Sequence, residues 1–162
     1  MDKGKVSRVL FIIASLVAIV SMIFPYQIKV TSSENTKAVK ESLRFMPTLF
    51  GGLVFLVIAG GIVAALIPKK KLIALLGTLS AVGLAIKVLL CWLSAGVTTT
   101  KVNQFQEAYK ELGATNVVDL QYTVTVTNST GSYVMIAAIL LLLFTAFLCL
   151  IFDNSGAQAT AD

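Results

Sequence analysis

The sequence predicts an all-α membrane protein, a four-transmembrane-helix bundle with a small extracellular α+β cap of two strands and two short helices. Three observations lead there. Hydrophobic residues make up 57% of the 162-residue chain and charged residues 13%, against about 25% charged in an ordinary soluble domain. Four apolar stretches, residues 9–25, 48–67, 72–92 and 132–152, are each about 17 to 21 residues long, which matches roughly 30 Å of hydrocarbon at 1.5 Å per residue. The two longer segments between them, 26–47 and 93–131, are polar but patterned. The organisation is that of a single four-span domain, with outer loops 26–47 and 93–131, an inner turn 68–71 and a cytoplasmic tail 153–162.

The first stretch follows Lys3, Lys5 and Arg8. A basic leader before an apolar core also heads a cleaved signal peptide. Here the core runs through Met22, Ile23 and Phe24 into Pro25 without a small-x-small cleavage site, so an uncleaved first span is expected. Beyond Pro25, residues 26–31 alternate apolar and polar, the period of a half-buried strand. After Ser33, a candidate N-cap, Val39, Leu43 and Met46 recur at helical spacing and suggest a short helix.

The second span carries two small-residue pairs, Gly60 with Ala64 and Gly61 with Ala65; the first has Ala14 with Ala18, and the third Gly77, Ala81 and Ala85. Small residues four apart let membrane helices approach closely, because lipid supplies no hydrophobic drive for their association. These positions are therefore expected to pack the helices. In the second outer loop Phe105, Tyr109 and Leu112 have helical spacing and Gly113 supplies a stop. Residues 120–127 then alternate as a strand, which enters the last span as the first strand leaves the first span. The two can pair as antiparallel neighbours.

The Lys and Arg residues divide evenly between the two sides, so position decides the orientation. Lys69, Lys70 and Lys71 crowd a short turn that begins at Pro68, and Lys3, Lys5 and Arg8 directly precede the first span. The positive-inside rule weights such residues most, which places both termini in the cytoplasm of a multi-pass protein of the cell membrane. Tyr26, Trp92 and Tyr133 fall at the outer span ends, where an aromatic belt is expected. In this arrangement Cys91 lies near the outer face and Cys149 near the inner one, beyond disulfide reach.

One charge interrupts the spans. Lys87 shares a side of the third span with Ser80, Gly83, Cys91 and Ser94, and no span contains an acid to neutralise it. Three readings stay open. Lys87 lies five residues from Trp92, about 7.5 Å at helical rise, so its side chain can snorkel to the headgroups. It can serve a structural role within the bundle, since helical side chains lean toward the helix N-terminus and away from the outer surface. Or it marks a functional surface, with Lys87, Ser80, Gly83 and Ser94 as an intramembrane interaction face.

Enzymatic chemistry is not expected. The chain has no histidine, no carboxylate pair within a span, no metal-ligand cluster and no glycine-rich phosphate loop. No catalytic, cofactor or metal site is assigned. The net charge of +5 is spread over membrane flanks and loops without an aromatic-interleaved patch, which argues against nucleic acid. The leading expectation is a non-enzymatic integral membrane protein that acts by interaction, as accessory subunit or scaffold of a membrane complex. Its partners would be membrane lipid and another membrane protein or further copies of itself. The alternative is a homo-oligomeric channel or carrier for a small anion, with Lys87 lining the path.

The short first outer loop, tight basic inner turn and longer second outer loop resemble the layout of tetraspanins and, more loosely, claudins. Their diagnostic cysteine motifs, Cys-Cys-Gly in the second loop and a Trp with paired cysteines in the first, are absent. The segments FPYQIKV and TGSYVMIAAILLLL are more similar to small four-span membrane proteins of Gram-positive bacteria. This resemblance implies the layout and transfers no site residue.

Overall fold

The computed structural model describes residues 3–33, 36–67, 69–96, 98–102 and 121–152. Four helices in it are long and apolar enough to cross a membrane: α1 (Lys3–Ile23), α2 (Leu49–Leu66), α3 (Lys70–Ser94) and α4 (Thr130–Phe152). Their 18 to 25 residues correspond to about 27 to 38 Å. The helical segments start earlier than the apolar stretches in three cases, so that Lys3, Lys5 and Arg8 lie within the first turns of α1. α1 and α3 each pack against both α2 and α4, so the helices form an up-down-up-down ring in chain order.

Each helix buries a stripe at alternating three- and four-residue spacing. On α1 it is Gly4, Ser7, Phe11, Ala14, Ala18 and Ser21; on α3 it includes Ile73, Gly77, Ser80, Leu84 and Cys91. An average step of 3.5 residues is the period at which helices pack knobs into holes along a shallow left-handed crossing. Phe11, 1% exposed, is the large knob of this core. A Cβ on Gly77 would stand 2.8 Å from its ring and 3.0 Å from Ala146, and one on Gly61 would stand 3.3 Å from the same ring. The two glycines are the hole that Phe11 fills.

Most other buried positions are small. Ser7, Ser21, Ser80 and Thr145 donate their hydroxyls to carbonyls of their own helices, at 2.7 to 3.0 Å, which satisfies them without a partner helix. Apart from a few buried large residues such as Met22, Ile58, Leu84 and Leu142, the large side chains point the other way: Leu16, Leu53, Leu75, Leu89, Leu140 and Phe144 are all exposed. The bundle is small-residue inside and leucine-rich outside.

At one end of the bundle sits an antiparallel sheet of β1 (Pro25–Ser33), β2 (Thr36–Arg44), β3 (Thr98–Val102) and β4 (Gln121–Asn128), in the order β2-β1-β4-β3. The alternating segments 26–31 and 120–127 correspond to β1 and β4, which pair in register from Gln27 opposite Asn128 to Ser33 opposite Tyr122. The helix expected after Ser33 is not there. That segment is β2, a strand hairpinned onto β1 with Ser33 opposite Thr36 and Pro25 opposite Arg44. Val39 and Leu43 are four apart, but they are also alternate members of a strand register, and pairing with β1 decides between the two periods. β3 was not expected; its Thr-Thr-Thr run is rich in the β-branched residues that favour strands. The expected helix through Phe105, Tyr109 and Leu112 lies outside the described residues.

The chain enters β3 through Gly96, whose φ of +79° belongs to the left-handed region that glycine adopts without a Cβ penalty at helix C-termini. Its N–H donates to Val126 O at 2.9 Å, tying the end of α3 to β4.

Candidate functional site

Lys87 continues the buried stripe of α3: it follows Leu84 by three residues and precedes Cys91 by four, so it occupies a position that an uncharged side chain fills elsewhere on the stripe. It is half-buried at the sheet end of the bundle. Two aromatic rings cover it. Its Nζ lies 4.2 Å from the centroid of the Tyr26 ring and 5.8 Å from that of Phe45, both within the range at which the negative face of a π-system attracts a cation. Tyr26 is 6% exposed and Phe45 fully buried. Tyr26 therefore turns inward onto the lysine and does not join the outward aromatic belt. Trp92 and Tyr133 do face outward, in edge-to-face contact at 6.3 Å.

The backbone around each ring is built to hold it. Tyr26 is the second residue of β1, and its carbonyl accepts from Ser129 N–H at 2.9 Å. Gly131, in the first turn of α4, sits so close to the Pro25 carbonyl that a Cβ there would collide with it. Phe45 lies in the connection from β2 to α2. Its carbonyl accepts from Thr48 N–H at 3.1 Å and from Thr48 Oγ1 at 2.7 Å, while Thr48 Oγ1 in turn accepts from Gly51 N–H at 2.9 Å as the N-cap of α2. A Cβ on Gly51 would run into the Phe45 carbonyl oxygen. Phe50 packs on Phe45 at 5.7 Å between ring centroids.

Among the described residues no carboxylate takes part. Glu41 is the sole acidic residue among the described residues, and it pairs with Lys29 across β1 and β2 at 3.9 Å. Within this set the lysine charge is met by ring faces.

Beside the cage, Gln27 clamps the sheet to the bundle. Its side chain is 5% exposed, and its Nε2 donates to Cys91 O at 2.8 Å, to Ser94 Oγ at 2.9 Å and, at the 3.5 Å limit, to Asn128 Oδ1. Cys91 O is one of the last carbonyls of α3, which lack an intrahelical donor. A single amide thus joins β1, β4 and the end of α3. Gln27 does not stand out in the sequence. Its signal was a polar residue directly after the strand's first aromatic, at the foot of the sheet.

The expected interaction face is distributed among different neighbours. Ser80 is buried with its hydroxyl on Leu76 O, Gly83 is buried where a Cβ would meet Val54 at 2.7 Å, and Ser94 is exposed at the end of α3, in Gln27's reach. Among the expected packing residues, Gly61, Ala64, Gly77 and Ala81 are buried. Gly60 is half-buried, with Leu76 3.5 Å from where its Cβ would be. Ala85 is exposed and helps line a furrow of about 300 Å³ between α3 and α4, with Val88, Trp92 and Ile139. Among the described residues no group of three or more Cys, Asp or Glu could hold a metal ion.

Comparison with protein-family models and with curated proteins finds no match to this chain.

Proposed function

We propose that the protein is a non-enzymatic integral membrane protein that crosses the bilayer four times, with both termini cytoplasmic. It acts by interaction, as accessory subunit or scaffold of a membrane complex, and the sheet is its contact platform. The leucine-rich outside and small-residue inside of the bundle support the membrane placement. Water would not tolerate so large an apolar surface, and helices associating in lipid select small residues at their contacts.

The observation that carries the interaction reading is the way the sheet is held and presented. Gln27 and the Lys87 cage fix its inner strands to the bundle, whereas β2 is an outer strand whose residues Ala38 to Ser42 are exposed. Val39 stands 65% exposed on it. A rigid platform with an apolar residue on its outer strand suits docking of a second polypeptide, by edge pairing or by side-chain contact. Lys87 contributes as the cage's core: its cation is engaged by rings of its own chain, which suits an anchoring role better than a path for ions.

Gentle detergent extraction followed by mass analysis of the intact particle tests this. A complex with a second membrane polypeptide is expected, and Val39→Asp should release the partner without changing the thermal stability of the protein itself. A homo-oligomer with an anion conductance that Lys87→Ala abolishes would overturn the reading in favour of a channel.

A further inference from the structure

The end of the bundle opposite the sheet carries two adjoining apolar furrows. One, of about 350 Å³, runs between α1 and α4 and is lined by Lys3, Val6, Ser7, Leu10, Leu148 and Phe152. The other, of about 230 Å³, is lined by Lys5, Val6, Val9 and Leu10. They share Val6 and Leu10, so these two side chains form the ridge between them. Each is headed by one lysine from the first turn of α1. The Lys3 ammonium lies 5.9 Å from the Phe152 ring, over the mouth of the larger furrow. Ser7, the remaining polar residue, turns its hydroxyl to Gly4 O at 3.0 Å and leaves the furrow apolar. Arg8 adds a third cation one turn on, with its Nε donating to the same carbonyl at 3.2 Å.

We propose that these paired furrows are a binding site for an anionic diacyl phospholipid, one acyl chain lying on each side of the Val6–Leu10 ridge and the phosphate at the first turn of α1, attracted by the lysine of each furrow. Two apolar furrows that share the Val6–Leu10 ridge, each with a lysine in its lining, suit the two tails and single negative head of such a lipid. Basic pockets beside membrane helices on the cytoplasmic side have the chemistry that selects anionic headgroups. The site rests on the membrane placement proposed above and is independent of any protein partner.

The test is native mass spectrometry of the purified protein titrated with phosphatidylglycerol or phosphatidylcholine of identical chains. The expected result is a phosphatidylglycerol adduct favoured over the phosphatidylcholine adduct by a factor of about 5 per lysine, from roughly 1 kcal/mol each. The preference should vanish in Lys3→Ala/Lys5→Ala and persist in Lys3→Arg/Lys5→Arg. Both lysines are exposed, so these variants should fold normally. Leu10→Trp, which fills both furrows, should remove the adduct of either lipid. Equal binding of the two lipids would overturn the site while leaving the membrane placement intact. A preference that survives Lys3→Ala/Lys5→Ala but is lost in Lys69→Ala/Lys71→Ala would assign it to the α2–α3 turn and overturn it too. Failure of both lipids to bind would count against both the site and the membrane placement.

Discussion

At the scale of single residues, Lys87 illustrates how aromatic faces can receive a charge on an inward helix stripe where no described residue offers an anion. A lysine there loses part of its hydration, and the Tyr26 and Phe45 ring faces replace some of it. A contact of this kind is worth about 0.5 to 2 kcal/mol depending on desolvation. Lys87→Met retains the length and loses the charge. Measured against Tyr26→Leu in a double-mutant cycle by thermal unfolding in detergent, the pair should couple by about 1 kcal/mol. Additive effects would mean that ring and cation do not interact. Gln27 makes a second residue-scale prediction. Gln27→Leu keeps the volume but removes the donor to Cys91 O and Ser94 Oγ, at a cost of about 1 to 3 kcal/mol. The loss is local, so amide exchange should accelerate in β1 and β4 while the bundle cores of α1 and α4 stay protected. Lys87 was legible as an anomaly because charge within an apolar run needs no structure to be noticed. Its partners were not, since Tyr26 and Phe45 are more than forty positions away in sequence and reach it only once β1 and β2 fold back over the bundle end.

At the scale of elements, the helices were legible and the sheet only half so. Apolar length alone identifies a helix of this kind, because nothing else of 18 to 25 residues satisfies its own backbone across so long an apolar run. β1 and β4 were legible from strict alternation. β2 is ambiguous in the sequence because Val39, Leu43 and Met46 fit a helical stripe as well as Val39 and Leu43 fit a strand, and only the partner strand breaks the tie. The helix packing offers a sharper test than the boundaries do. Gly77 and Gly61 matter for the volume they leave to Phe11, so Gly77→Ala should destabilise by about 1 to 3 kcal/mol through overpacking against the Phe11 ring and Ala146. Adding Phe11→Leu, which withdraws the ring, should recover part of that loss. If the double variant is instead less stable than either single one, the hole-and-knob account of the core fails.

At the scale of the whole molecule, the two ends of the bundle differ in charge as well as in structure. One end gathers Lys3, Lys5, Arg8, Lys69, Lys70 and Lys71 without an acid among the described residues. The other carries the sheet, where Lys29 is balanced by Glu41 and cations such as Lys40 are spread along strands. Translocation across a membrane disfavours clustered cations beside short turns, so the first end should stay in the cytoplasm and the sheet should be outside. This is testable with little background, because both native thiols, Cys91 and Cys149, are buried. Ala38→Cys places a thiol on exposed β2, and Lys71→Cys places one on the exposed first turn of α3. In intact cells a membrane-impermeant maleimide should label Ala38→Cys and spare Lys71→Cys until the cells are permeabilised. The reverse pattern would put the sheet in the cytoplasm, and with it the platform on which the interaction reading depends. Equal labelling of both in intact cells would show that the four helices do not separate their two ends across a bilayer at all.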